Sequence, residues 1–389
     1  MDNGKMKIGI FVDSFYPNID GVSQVVNNYC TCLSRYDDVD VTLVTPRYKE
    51  GHYERYPFRV YPYLSFGGPG KVGYRVGWPF VPKIVRDVRA MDFDLVHIHC
   101  PLCSSELQRL TNKDGHAKTV LTYHTKYDVD FEARLRLPPM KRIAYRFLRA
   151  NVNYPDEVWI VSQGSEEALR RIGFTGTCRV MENGVDLPRG RASDADCDAL
   201  RREYSLPDGV PVFTFIGRMQ WYKNIRLLLD GLKLVKDAGM NFRFLMVGDG
   251  QDLGEMKAYV RQIDLADRVI FTGSVREREK LRVFYSITDL FLFLSTFDTA
   301  AIVVKEAAAS DVPVLFAAGS DSAYGVEEGV NGWFAEENPR AVADKILLAA
   351  GDRDNLRRVG QKAGDTLYVP WSVSVDRAYR RYKEILRGE

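Results

Sequence analysis

The chain reads as an α/β protein of two doubly wound domains, each a parallel sheet covered by helices on both faces. Three observations predict this. Short strands that are apolar from end to end alternate with amphipathic helical stretches, as strands buried on both faces do. The alternation occurs twice, broken once by a run of turn formers. A length of 389 residues is too great for one ordinary core and suits two domains of roughly 180 residues each.

The first strand is Lys7-Ile8-Gly9-Ile10-Phe11-Val12, ending at Asp13. A loop from Ser14 to Asp20, containing Pro17, leads through Gly21 into a helix from Val22 to Leu33. In that helix Val22, Val25, Val26 and Tyr29 recur at helical spacing. Strands follow at Val39 to Val44, Leu95 to Ile98, Thr119 to Thr122 and Val158 to Val161. The turn formers from Glu182 to Gly190 mark the linker. The second series has strands at Val212 to Ile216, Phe242 to Val247, Val269 to Phe271, Leu290 to Leu294 and Val312 to Phe316. The expected domains are residues 1–187 and 188–365, with a terminal helix in 366–389 crossing back to the first. Ligands are expected beyond the C-terminal ends of the strands, in a cleft where the two domains face each other.

Composition narrows the class. An apolar share of 46%, with 12% aromatic, fits a globular chain and not a disordered one. No run of about 18 uncharged apolar residues exists, so no transmembrane helix is expected. Met1 to Lys7 offers no apolar leader, and the chain is expected to stay in the cytoplasm. Six cysteines (Cys30, Cys32, Cys100, Cys103, Cys178, Cys197) form no disulfide framework in so long a chain. A net charge of +2 argues against nucleic acid as a partner. That small sum hides a concentration: Phe131 to Ala150 holds Arg134, Arg136, Lys141, Arg142, Arg146 and Arg149 against Glu132 alone. A helix after Pro138-Pro139, with Ile143, Tyr145, Phe147 and Leu148 among these cations, could rest on an anionic bilayer, each surface cation contributing about 1 kcal/mol. The alternative is an ordinary solvated basic face.

Two constellations carry chemistry. Gly217-Arg218-Met219-Gln220-Trp221-Tyr222-Lys223-Asn224 follows the first strand of the second domain and opens a helix. Glycine lets the backbone approach a ligand, a helix N-terminus favours an anion, and Arg218 and Lys223 add two cations. This describes a diphosphate site, or more plainly a solvated basic helix start. In Phe297-Asp298-Thr299-Ala300-Ala301-Ile302-Val303-Val304-Lys305-Glu306, two acids bracket a turn of small, uncharged residues. Carboxylates accept paired hydrogen bonds from sugar hydroxyls, and a small-residue turn exposes N–H groups to phosphate. Taken alone, Glu306 would read as a polar helix residue.

Together these residues resemble glycosyltransferase family 4, retaining enzymes of the GT-B architecture with two Rossmann-like domains. The resemblance spans nearly the whole chain. It includes Ile8 to Phe11 through Gly21-Val22, Asn183 to Asp186, Val247 to Gly250, Phe271 to Gly273 and Gly329 to Gly332. It is similar in particular to bacterial lipid glycosyltransferases such as diacylglycerol glucosyltransferases, through Asp13 to Val22 and Tyr123-His124-Thr125-Lys126-Tyr127. The resemblance implies that Arg218 and Lys223 neutralise the donor diphosphate, Glu306 holds the ribose and Asp298 the hexose. Gly217 belongs to the same donor site, and backbone groups of Thr299, Ala300, Ala301, Ile302 and Val303 bind hexose and phosphate. Gly21 leaves room for the diphosphate, and His124 lies near the transferred sugar. Three departures stand out: Asp298 replaces the usual Glu, Ala300 and Ala301 stand where a glycine is common, and Asp311 replaces another common glycine.

His97-Ile98-His99-Cys100-Pro101-Leu102-Cys103 holds metal-ligand residue types, and in a strand His97 and His99 point the same way. A buried strand entering the cleft explains it as well, and no metal or other cofactor is expected. The resulting expectation is a hexosyltransferase moving glucose from a UDP-sugar to a membrane lipid, peripheral on the inner face of the membrane through residues 134–149. A polymeric or soluble acceptor is the alternative, with a non-catalytic sugar-nucleotide binder as the rival from another class.

Overall fold

The apolar runs form the interior strands of two separate parallel sheets in a computed structural model that describes residues 4–18, 20–67, 75–127 and 137–389. The chain divides into one unit ending at Gly184 and including Trp371–Glu389, and a second unit, Val185–Pro370.

The first unit contains β1 (Met6–Phe11), β2 (Val39–Pro46), β3 (Arg59–Tyr63), β4 (Ser65–Gly67), β5 (Arg75–Gly77), β6 (Leu95–Ile98), β7 (Lys118–Tyr123), β8 (Glu157–Ile160) and β9 (Cys178–Val180). Among the described residues, seven of these make one parallel sheet in the order β3-β2-β1-β6-β7-β8-β9, while β4 and β5 pair antiparallel. Ile8 sits between Val41 and Leu95 in register, and Ile8 and Ile10 are fully buried. The strand order reverses between β1 and β6, which opens a crevice at their C-terminal ends. The helix after β1 runs Gly21–Leu33, capped by Asp20, whose Oδ1 accepts from the Ser23 N–H at 2.7 Å.

The second unit contains β10 (Val212–Ile216), β11 (Arg243–Val247), β12 (Val269–Gly273), β13 (Leu290–Phe293), β14 (Val314–Ala317) and β15 (Trp333–Ala335). They form a parallel sheet in the order β12-β11-β10-β13-β14-β15, with the reversal between β10 and β13. Phe213, Phe244, Phe291 and Phe316 are fully buried within it.

The domain limits differ from those expected. Val185 and Leu187 pack into the second unit's core, so the boundary falls at Gly184–Val185 and not after Leu187. Residue 366 lies inside a helix of the second unit, Arg353–Leu367, and the return comes at Trp371. A Cβ on Gly184 would stand 2.6 Å from the Trp371 Cα, so only glycine lets the outgoing and returning chain touch. The last helix, Trp371–Arg387, packs on the first unit. Tyr36 and Tyr379 stack at 4.0 Å, and Arg381 Nη2 bonds Glu157 at 2.6 Å.

Candidate active site

In the second unit the two motifs flank the reversal of strand order. β10 runs into Gly217 and Arg218, and β13 leads to the loop bearing Asp298. The Gly217 and Met219 N–H groups bond the carbonyls of Val247 and Asp249, each at 3.0 Å, which ties this loop to Val247-Gly248-Asp249-Gly250. Gly248 has φ +144° and a Cβ there would stand 1.9 Å from the Gly217 oxygen, so no other residue fits. Trp221–Lys223 make a 3₁₀ turn closed by Asn224 in the left-handed conformation, and the α-helix starts at Ile225. Arg218 is exposed.

Lys223 and Asp298 meet. The Lys223 ammonium donates to both carboxylate oxygens of Asp298, at 2.9 and 2.7 Å, with both side chains mostly buried. The cation expected at the diphosphate and the acid expected at the hexose thus form one charge-assisted pair. Beyond it the Ala301 N–H donates to Ser322 Oγ at 3.1 Å, and the Ser322 hydroxyl donates to the Asp298 carbonyl at 3.1 Å. One of the backbone donors expected to face a ligand, that of Ala301, is therefore already engaged. Thr299 is buried, while Ala300, Ile302 and Val303 are half-buried. The helix Ile302–Ala309 begins without a side-chain cap, so the N–H groups of Ile302 and Val303 head it.

Glu306 is only 2% exposed. Arg278 Nη2 donates to its Oε1 at 2.6 Å and the Tyr285 hydroxyl to its Oε2 at 2.8 Å. Arg278 also bonds Asp186. Burial opposes the charge on Arg278, but the carboxylates of Glu306 and Asp186 outweigh it and hold its pKa above the usual value. Neither Arg278 nor Tyr285 was foreseen. Their spacing of two helical turns is a signal that acquires meaning only once Glu306 is placed beside it.

In the first unit His124 follows β7 and is partly exposed. Its Nε2 lies 3.0 Å from His99 Nδ1, with the rings nearly parallel. Burial pushes the His124 pKa down to about 3, and burial with the neighbouring imidazoles pushes His99 well down, so one proton is shared between two neutral rings. His97 and His99 do point the same way, with ring centroids 4.1 Å apart. Both His97 nitrogens are engaged by hydroxyls at 2.6 Å, Tyr382 on Nδ1 and Thr122 on Nε2, as in a structural histidine. Burial raises the thiol pKa of Cys103 to about 12 and that of Cys100 well above normal, which disfavours thiolate chemistry.

In the sequence Asp13 reads as a strand end and part of a motif, with no role for its side chain. It lies two residues beyond β1 and accepts from the N–H and hydroxyl of Ser104, both at 2.7 Å, in the first turn of helix Cys103–Thr111. Its Oδ2 is buried without a partner, and burial raises its pKa to about 6 despite the Ser104 bonds. Gly21 starts its helix with no atom within 4 Å of where a Cβ would stand, so the chain's own packing does not require glycine there.

In the basic segment Pro138–Val152 is a helix, while Phe131, Glu132, Arg134, Leu135 and Arg136 lie outside the described residues. No helix among the described residues is long and apolar enough to cross a membrane.

Comparison with known proteins agrees with this geometry. Residues 19–189 match the profile of Glycosyltransferase Family 4, and residues 196–365 that of Glycosyl transferases group 1. The α-monoglucosyldiacylglycerol synthase of Acholeplasma laidlawii is 24% identical over 358 residues, 88% of either chain. The D-inositol 3-phosphate glycosyltransferase of Nocardia farcinica is 30% identical over 304 residues, 73% of this chain and 65% of that one. Among solved structures, Anabaena HepE in complex with UDP superposes with a TM-score of 0.79 over 97% of this chain and all of that one, at 18% identity, which speaks to the fold alone. With both halves matched by family profiles and a GT-B fold of two Rossmann-like units, the chain is an enzyme of glycosyltransferase family 4.

Proposed function

We propose that the protein is a retaining hexosyltransferase that moves glucose from a UDP-sugar to the hydroxyl of a membrane lipid such as diacylglycerol, working as a peripheral protein on the cytoplasmic face. The observation that carries the donor half is the convergence of Lys223, Asp298 and the head of helix Ile302–Ala309 where the second sheet's strand order reverses. As the bond between sugar and phosphate breaks, negative charge collects on the diphosphate. Arg218, Lys223 and the N–H groups of Ile302 and Val303 stabilise that charge, and no metal is needed to do so.

Asp298 holds the hexose hydroxyls while Lys223 orients it, and Glu306 holds the ribose. Because Asp298 is engaged by the ammonium, it is poorly placed to act as a covalent nucleophile. The acceptor hydroxyl then attacks from the face the diphosphate leaves, and its proton passes to the departing phosphate oxygen. His124, a neutral imidazole, takes a sugar hydroxyl in a hydrogen bond.

The lipid half rests on the surface of the first unit. Helix Pro138–Val152 exposes Met140 and Ile143, the latter 69%, beside Arg142, Arg146 and Arg149, and Leu137 precedes it on the surface. Near β4 and β5 the exposed rings of Phe66, Trp78 and Phe80 touch edge to face, and a cavity of about 410 Å³ next to Phe80 is lined by Arg86, Arg89 and Lys113. Exposed apolar groups among cations suit an anionic bilayer. The A. laidlawii relative, named for its diacylglycerol glycolipid, favours the same acceptor class.

Incubation with radiolabelled UDP-glucose or GDP-mannose and extracted membrane lipids tests this. Label from UDP-glucose should enter the lipid fraction. Label confined to water-soluble or polymeric product would instead favour a soluble acceptor, the reading that the N. farcinica relative supports.

A further inference from the structure

We propose that Tyr285 and Arg278 are positioning residues that fix the Glu306 carboxylate and thereby make the donor site demand an intact ribose 2′,3′-diol. The inference rests on the assignment of Glu306 to the ribose and adds what sets its selectivity. An ionised carboxylate offers about four lone-pair sites on two oxygens. Arg278 takes one on Oε1 and Tyr285 one on Oε2, so each oxygen keeps one direction for a further donor. Two oxygens, each with one remaining site in a fixed plane, match two adjacent hydroxyls and mismatch one.

The clamp is rigid for identifiable reasons. Both donors come from one helix, Arg278–Ser286, and stand two turns apart on the same face. Tyr285 is fully buried, and burial together with the Glu306 charge keeps its phenol far above the usual pKa, so it serves as a neutral donor. The same Arg278 Nη2 also bonds Asp186, so this nitrogen is held between two carboxylates and cannot swing away from Glu306 without losing both. Glu306 itself is almost wholly buried, and its charge-assisted bonds hold one rotamer.

Titration of the purified enzyme with UDP, 2′-deoxy-UDP, GDP and 2′-deoxy-GDP tests the idea without any knowledge of the acceptor. For whichever nucleotide binds, the original enzyme should prefer the ribose form by about ten- to a hundredfold, the range of hydrogen bonds to a charged group. Tyr285→Phe should reduce that preference at least fivefold and, in acceptor-free hydrolysis of the sugar nucleotide, raise KM for the donor with kcat nearly unchanged. Arg278→Lys, which keeps the charge but shortens the side chain and loses the planar guanidinium that places Nη2 between the two carboxylates, should act in the same direction and serves if the buried phenylalanine variant fails to fold. Glu306→Gln separates the two layers of the argument. If it lowers the preference while both other variants retain the original preference and affinity, the ribose assignment stands and the positioning role is wrong. If Glu306→Gln changes nothing, or no nucleotide binds, the assignment fails and the positioning role with it.

Discussion

Lys223 and Asp298 occupy one another, so a substitution at either alters two groups. Lys223→Ala removes the cation proposed to meet the leaving diphosphate and also takes the ammonium from a mostly buried carboxylate. Turnover should fall by about a hundredfold or more, and donor affinity should fall with it. Arg218→Ala should cost a comparable factor with folding intact, since that residue is exposed. Initial rates beside thermal unfolding midpoints check both, and near-original rates in either variant would remove the diphosphate role. Asp13 makes a different prediction. Its pKa of about 6 in the folded protein, against 3.8 for a free side chain, means the folded state holds the proton more tightly. Stability relative to the unfolded chain therefore declines as pH rises from about 4 to about 6. Asp13→Asn keeps an acceptor for Ser104 and removes that decline. Its advantage in urea midpoint should grow between pH 4 and pH 7, and a constant difference would show that the carboxylate is not destabilised by burial.

Interior elements were legible because strands apolar on both faces leave a continuous signature, as in Leu290–Phe293 and Val314–Ala317. Edges were not. β3 carries Arg59 and Pro62 on a half-exposed run, and β9 and β15 have three residues each, too short for any period to show. The same limit governs the site. Motifs singled out Lys223, Asp298 and Glu306, but their partners come from far along the chain: Lys223 and Asp298 are 75 positions apart, and Arg278 and Glu306 are 28. Such pairings depend on strand order, which no local pattern encodes. Asp311, noted as a departure from glycine, sits at φ 58° in the turn between helix Ile302–Ala309 and β14, and Arg189 reaches its Oδ1 at 2.6 Å. Glycine would relieve the left-handed strain and lose a partly exposed ion pair, two effects of about 1 kcal/mol or less that oppose each other. Asp311→Gly should thus shift the unfolding free energy by under about 1 kcal/mol, whereas Asp311→Val should lose about 1–3 kcal/mol. Equal losses in the two variants would place the cause in the ion pair and not in the backbone.

At the scale of the whole molecule the proposed lipid acceptor requires a means of reaching a bilayer surface, and no helix among the described residues is long and apolar enough to cross one. A net charge of +2 gives no general attraction, so any attraction has to be local. Helix Pro138–Val152 is the proposed source, with Lys141, Arg142, Arg146 and Arg149 around the exposed Met140 and Ile143. Its inner side, with Leu148 and Val152 fully buried, anchors it to the first unit, so changes to the outer side should not unfold it. At about 1 kcal/mol per cation near an anionic surface, changing these four to Gln should cost several kcal/mol, or a few decades in partitioning. The quadruple variant should stop sedimenting with phosphatidylglycerol vesicles and lose activity on lipid, while UDP-glucose hydrolysis, proposed to use Lys223, Asp298, Glu306 and His124 and none of these four cations, continues. Binding of the original protein should weaken steeply with salt, because screening shortens to about 3 Å at 1 M. Met140→Ser with Ile143→Ser should weaken binding with little change in its salt dependence, since it removes the apolar contribution alone. If the quadruple variant still binds vesicles and glycosylates lipid at the original rate, this helix is a solvated face. The rings of Phe66, Trp78 and Phe80 would then be the surface to test.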